Sequence, residues 1–344
     1  MATVHDLMSA PEFADDQLTI AINIPPYQSG ILARLGLFAD TPIATTYAKI
    51  GIKDGELTII PSRERGGPAN KNMGSKRGEV LVNVPHFPLD DAITPSDVQN
   101  LMVYGEDRVF ESFGNVLNGK LIEIRGKHDA TWAHMDWGAL NGLVLDADGY
   151  EILDIYDRFG VTQETISLAL GTTGTDVAEK TRDVKARVRK ELKGSPMSGM
   201  HILAGPEWFA AYTGHASVRD SYKFFAAQGP NPNRDGLEDG FFHAGSVIER
   251  VDEEFTVRLE NGTLETRPAV EPDEALAVPL GTSFFKRFIS PPDTIADANT
   301  APNPTDKVFI STAERDHGKG YDIHSESNVL PANLRPQAVK RLTL

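Results

Sequence analysis

The sequence predicts an α+β protein. Three observations carry that reading. Apolar residues recur close to every 3.6 positions from Val98 to Ile124, as one face of a long helix requires. Two-residue turn signals stand between apolar runs at Asp54-Gly55, Asp148-Gly149 and Asn261-Gly262. A helix, a buried strand and another helix follow one another between Thr175 and the segment after Pro206, an order typical of α+β domains.

Residues 1–46 contain Pro11, Pro25, Pro26 and Pro42, so an extended arm with short pieces is expected there. Residues 47–60 read as a β-hairpin, with Ile50 and Ile52 before the Asp54-Gly55 turn and Leu57, Ile59 and Ile60 after it. The stretch 61–79 is glycine-rich and poor in apolar residues, a long loop of the kind that usually has a task. Between Ser62 and Gly78 it carries Arg63, Arg65, Lys71, Lys76 and Arg77 against Glu64 alone, five basic residues against one acidic, a net of +4. Either it is a solvated loop or it reaches an acidic neighbouring subunit.

Thr94-Pro95-Ser96-Asp97 opens the long helix, with Thr94 as cap, Pro95 at the first helical position and Asp97 at the positive end of the dipole. The apolar positions run Val98, Leu101, Met102, Val109, Phe110, Phe113, Val116, Leu117, Leu121 and Ile124. Gly105, Gly114, Gly119 and Gly126 each weaken it by about 1 kcal/mol relative to alanine. A bend or break is therefore expected unless tertiary packing holds the helix.

Leu143 to Leu153 forms a second hairpin. Thr175 to Lys193 is an amphipathic helix buried through Val177, Thr181, Val184, Val188 and Leu192, and stopped by Gly194. Met200–Ala204 is a buried strand, and residues 229–240 are a loop. From Asp235 to Glu254 seven acidic residues face Arg250 alone, a net of -6 that could complement the basic loop or simply be solvated. The prolines of 290–306 mark a linker, and two strands are expected around Val308–Ile310 and Val339–Leu344.

The chain has 344 residues, enough for about two domains, and 40% are apolar. No run approaches the ~18 apolar residues of a membrane span, and the first residues lack the pattern of a secretory signal. Cysteine is absent, which excludes disulfides and thiolate chemistry and points to a cytoplasmic setting. A net charge of -15 limits nucleic acid to weak, non-specific contact and favours solubility at high concentration.

Catalytic motifs are missing. Asp146-x-Asp148-Gly149 lacks the remaining ligands of a calcium loop, Gly171-Thr172-Thr173-Gly174-Thr175 lacks the Lys-Ser/Thr of a phosphate loop, and neither HExxH nor G-x-S-x-G occurs. No cofactor is implied. The sharpest enzymatic alternative is a metal-dependent hydrolase using His128, His134 and Asp136. Without a constellation around it, a long helix feeding a hairpin reads as a building block.

The pieces also resemble a known family. Leu35-Gly36-Leu37-Phe38, Arg65-Gly66-Gly67, Val84-Pro85-His86-Phe87-Pro88-Leu89-Asp90-Asp91, His128-Asp129-Ala130-Thr131 and Gly138-Ala139-Leu140-Asn141-Gly142 stand in this order. Leu145-Asp146-Ala147-Asp148-Gly149, then Gly318 through Asn328, then Arg335-Pro336 complete it. Together they resemble the lambda-type phage major capsid proteins, the head protein E family. That resemblance implies the Hong Kong 97-like capsid fold and a major capsid protein that assembles through hexamers and pentamers into the icosahedral head of a tailed phage. It implies an N-terminal arm (1–46), an extended loop (47–84), a peripheral domain with a spine helix (85–160), an axial domain (161–290) and returning C-terminal strands (291–344). The implied partners are copies of the chain itself, with a scaffold, a head protease, a portal and a decoration protein. No catalytic residue carries over. Another virion component, from tail or decoration, is the remaining alternative.

Overall fold

The computed structural model describes residues 14–24, 30–53, 77–98, 109–225, 240–258 and 262–344. In chain order the first elements are α1 (Asp15–Asn23), α2 (Gly30–Leu35), β1 (Ala39–Pro42), β2 (Tyr47–Lys53), β3 (Arg77–Asn83), β4 (Phe87–Ile93), α3 (Pro95–Val98) and α4 (Val109–Asn141). Next come β5 (Leu143–Leu145), β6 (Glu151–Asp154), α5 (Ile155–Phe159), β7 (Thr165–Ser167), α6 (Val177–Glu191), β8 (Gly199–Ala204), α7 (Pro206–Gly214) and α8 (Ala216–Phe225). Strands then dominate: β9 (Phe241–His243), β10 (Ser246–Arg250), β11 (Glu254–Arg258), β12 (Leu264–Pro268), β13 (Glu274–Leu280) and β14 (Phe285–Ile289). The last four are β15 (Phe309–Glu314), β16 (Tyr321–Ser327), β17 (Val329–Asn333) and β18 (Lys340–Thr343). The chain forms two compact units, one of residues 1–48, 83–133 and 287–331, the other of 49–82, 134–286 and 332–344.

In the first unit, β15, β16 and β4 form an antiparallel sheet with β16 central. The α4 residues Leu117, Leu121, Ile124, His128 and Trp132, three or four apart, are buried. Two of them meet alternate residues of β16: the Trp132 indole donates to Ser327 Oγ at 2.8 Å, and His128 Nε2 lies 3.2 Å from Ser325 Oγ. At α3 the cap runs from Asp97 rather than from the expected Thr94 side chain, since Asp97 Oδ2 accepts from both the Thr94 amide and its hydroxyl at 2.8 Å.

The second unit is built on a six-stranded mixed sheet of order β7-β18-β13-β8-β10-β9. Its core joins Met200, Ile202 and Ala204 of β8 to Val177, Val184 and Val188 of α6 and to Trp208 and Tyr212 of α7. The period-2 strand face and the helical stripe thus close on one another as the sequence pattern requires. At the sheet's margin Lys340 is buried, and its ammonium reaches Glu164 Oε2 at 2.5 Å, while Arg187 binds the other oxygen of Glu164 at 2.8 Å. Those two cations hold the Glu164 carboxyl below its usual range.

Several expectations need correction. The region read as an extended arm contains two helices, α1 and α2. Strand β2 pairs with β3, while the Asp54-Gly55 turn lies outside the described residues. Of the long helix expected from Thr94, residues 99–108 with Gly105 lie outside the described residues, and from 109 to 141 α4 runs unbroken through Gly114, Gly119, Gly126 and Gly138 because its stripe is buried. Four C-terminal strands are present where two were expected.

Two glycines separate tight sites from open ones. A Cβ on Gly205, at the β8–α7 junction, would stand 2.2 Å from the Glu271 carbonyl oxygen, whereas one on Gly119 meets nothing within 4 Å. Gly205→Ala is expected to lose about 1–3 kcal/mol of unfolding free energy, and Gly119→Ala to gain about 0.5–1 kcal/mol. Urea denaturation of the unassembled chain measures both.

Candidate assembly surfaces

The basic residues singled out from sequence fall mostly outside the described residues. Arg63, Arg65, Lys71 and Lys76 lie outside the described residues, and Arg77 is described only as the first backbone position of β3. The acidic run 235–254 is described from 240 onward; Asp252 and Glu254 are exposed, while Asp235, Glu238 and Asp239 lie outside the described residues. Glu249 is buried against His201 at 2.9 Å, Asp252 pairs with Arg250 at 2.8 Å, and Glu253 accepts the Trp137 indole at 2.7 Å.

The histidines of the hydrolase alternative have structural partners. Ser325 donates its hydroxyl to the Leu89 carbonyl at 2.9 Å, so its oxygen is left to accept from His128, which fixes the proton of a neutral ring on Nε2. Burial, reinforced by the nearby Arg125 guanidinium, pushes the His128 pKa down to about 4. His134 packs edge-on against Phe255, with 5.5 Å between ring centres, and burial lowers its pKa too. Among the described residues no group of three or more His, Asp and Glu side chains is placed to hold a metal ion.

Two surfaces remain. The first is the outer edge of β15. Side chains at every fourth position of α1 lie along it. Asp15 Oδ1 accepts from the Thr312 amide at 2.9 Å, Thr19 Oγ1 from Ile310 at 3.1 Å, and Asn23 Oδ1 from Val308 at 3.3 Å. Asn23 Nδ2 also donates to the Val308 carbonyl at 2.7 Å. The 6 Å rise of four helical residues approximates the two-residue repeat of a strand. A helical stripe thereby answers alternate amides that an adjoining strand would otherwise take. The sequence signal is an i, i+4, i+8 row of Asp, Thr and Asn beside the buried Leu18 and Ile22.

The second is a groove of about 810 Å³ beside that helix, lined by Asp15, Asp16, Asp293, Asp297, Asp306 and Glu326, with no Lys or Arg among its lining residues. Glu326 is buried. Its Oε1 accepts from the Asp293 amide at 3.0 Å, while Oε2 makes no hydrogen bond and has the His86 ring nitrogen 3.3 Å away. In the second unit a smaller cavity of about 460 Å³ is lined by His134, Trp137, Asn141 and Phe255, and its arginines are already engaged, Arg267 by Glu265 and Arg341 by Glu274. That cavity explains part of the Gly138–Gly142 motif. Asn141 donates to the Ala269 carbonyl at 3.1 Å, and Gly142, at φ +95°, turns the chain against the Tyr156 ring.

The His128 environment has a pH consequence. Its folded pKa lies below the ordinary 6.5, so the unfolded chain takes up a proton first. The neutral ring's contribution is complete above pH 6.5 and is lost as pH falls toward 4. Between pH 7 and 5 that amounts to about 2 kcal/mol. Asp129, whose pKa burial raises, works in the opposite sense, so the His128→Gln comparison isolates the imidazole. Urea titrations should show a flatter pH dependence for His128→Gln than for the parent; equal slopes would count against this assignment.

Comparison with known proteins places this architecture. The family model for phage major capsid protein E matches residues 16–344. The chain is 28% identical to the major capsid protein of Pseudomonas phage KPP10, over 98% of both chains, and 24% identical to that of Salmonella phage Felix O1, over 93% of both. Among solved structures, one described as a prophage capsid protein from E. coli CFT073 superposes with a TM-score of 0.58 at 14% identity, covering 96% of this chain and 99% of that one. The capsid of cyanophage P-SCSP1u gives a TM-score of 0.50 at 14% identity, covering 92% and 88%. With the buried α4 stripe, the mixed sheet and the C-terminal strands all inside the match, the chain belongs to the phage major capsid protein E family and has the Hong Kong 97-like capsid fold.

Proposed function

We propose that this major capsid protein assembles through hexamers and pentamers into the icosahedral head of a tailed phage, and that it does so as a structural subunit without catalytic activity. One observation carries the reading: the family match extends from the first turn of α1 to Leu344, leaving no described element over for a separate activity. In this reading residues 1–46 act as the arm, 47–84 as the extended loop, 85–160 as the peripheral domain with its spine helix, 161–290 as the axial domain, and 291–344 as the returning strands. Assembly takes place in the host cytoplasm with a scaffold, a head protease and a portal. Packaged DNA meets a chain of charge -15 only through weak contacts.

The basic segment holding Arg63, Arg65, Lys71, Lys76 and Arg77 is the proposed subunit-interface element. A homo-oligomer of acidic chains must overcome its own repulsion, and a +4 segment offers a means. The expressed chain, alone and with its neighbouring head genes, is to be examined by size-exclusion chromatography and negative-stain electron microscopy. Closed shells, or rings of five and six, are expected. Monomers under both conditions would overturn the reading.

A further inference from the structure

We propose that α1 is an autoinhibitory strap: it occupies the pairing edge of β15, and its release opens that edge to β15 of a second copy of this chain. The inference goes beyond the assembly reading and holds whether or not shells form.

The two edges of the β15-β16-β4 sheet are protected in different ways. β4 carries Pro88, Asp90 and Asp91 in its own sequence. The β15 edge, Val308-Phe309-Ile310-Ser311-Thr312-Ala313, holds neither a charge nor a proline, and its Val308, Phe309, Ile310 and Thr312 are strand formers. Such a segment on a bare sheet edge is a template for another chain. Its protection comes from α1 instead. Asn23 serves both the amide and the carbonyl of Val308, at 3.3 and 2.7 Å. Thr19 Oγ1 serves both groups of Ile310, at 3.1 and 3.5 Å, and Asp15 accepts from the Thr312 amide at 2.9 Å. These alternate residues are the ones a further strand would pair with. A row of helix side chains therefore stands where a strand would.

The strap holds its shape only while docked. At nine residues α1 is shorter than the ~12–15 that an isolated helix needs in water, so leaving the sheet and losing the helix are one step. Its apolar anchors are the buried Leu18 and Ile22. The occupant of the opened edge follows from the strand itself, which is self-complementary about a two-fold axis. Antiparallel pairing centred on Ser311 sets Ile310 opposite Thr312, Phe309 opposite Ala313 and Val308 opposite Glu314, so no like charges meet. Exposed Ser311 then faces its own copy at a closely spaced, non-hydrogen-bonded position.

The test uses the absence of cysteine. Ser311→Cys gives one thiol per chain, and a 311–311 disulfide formed under a mild oxidant reports this register. Leu18→Asp with Ile22→Asp releases the strap, which amide exchange at 15–23 verifies, while protection at 199–204 shows that the six-stranded sheet is intact. Disulfide dimers, read on non-reducing gels at matched concentration, should form at least about tenfold faster in the released chain than with α1 in place. Adding Thr312→Pro, which deletes one outward amide, should abolish them. Ala313→Cys, which this register sets roughly 13 Å from its counterpart, should not cross-link. Equal rates with and without the strap, no dimer from a chain whose α1 is released, or dimers indifferent to Thr312→Pro would each overturn the proposal. If the paired aspartates disturb 199–204, Asp15→Ala with Thr19→Ala replaces them and the same outcomes decide.

Discussion

The first unit depends on where one guanidinium is placed. Arg125 projects from α4 into a site where it is 6% exposed. Its Nη1 donates to the Ile22 carbonyl at 2.9 Å and to Asn23 Oδ1 at 3.0 Å, and its Nε to Asp129 at 2.8 Å. Its face lies 5.1 Å from the Trp132 ring centre. From there the connections spread: Asn23 holds the amides of Lys307 and Val308, Trp132 holds Ser327, and Lys307 reaches Asp40 at 2.7 Å, where Arg287 also arrives at 2.9 Å. Segments about 100 and 285 residues apart in sequence are joined through one polar network. Buried charge of this kind adds little net stability, yet losing one partner costs about 3–5 kcal/mol. Such a network fixes geometry more than it deepens the well.

That geometry has a use in a shell subunit. A three-stranded sheet has two open edges, and in a protein concentrated enough to assemble, each edge invites pairing with another chain. One edge, β15, is covered by the Asp15, Thr19 and Asn23 stripe of α1. The other, β4, carries Pro88, Asp90 and Asp91, a missing donor and two charges that discourage a further strand. Lys120 at 3.0 Å holds Asp91 in place. With these two edges guarded, this sheet offers little template for strand pairing with another copy.

Much of this was legible from sequence. The α6 stripe Val177, Thr181, Val184, Val188 was readable because burial followed helical period without exception. The Asp148-Gly149 turn was readable because Gly149 takes φ +82°, which its neighbours in sequence would resist. Pro11, Pro25 and Pro26 suggest an extended arm, yet they stand on either side of residues 15–23 and leave the α1 helix itself free of proline. β16 is hard to read because, apart from Ile323, its buried side chains are the polar Ser325, Glu326 and Ser327, which look exposed until α4 supplies His128 and Trp132 as partners. Polar burial of that kind is set by partners nearly 200 residues away and leaves no local pattern. The groove was invisible for the same reason, since its carboxylates come from α1, the proline-bearing stretch after β14 and β16.

The central claim, that Arg125 holds α1 across the β15 edge, is tested most directly by amide hydrogen exchange on Arg125→Met and the parent chain. The account predicts exchange at least about tenfold faster in residues 15–23 and 307–312 of the variant, with 199–204 in the six-stranded sheet unchanged. Unaltered protection at 15–23 and 307–312 would contradict it.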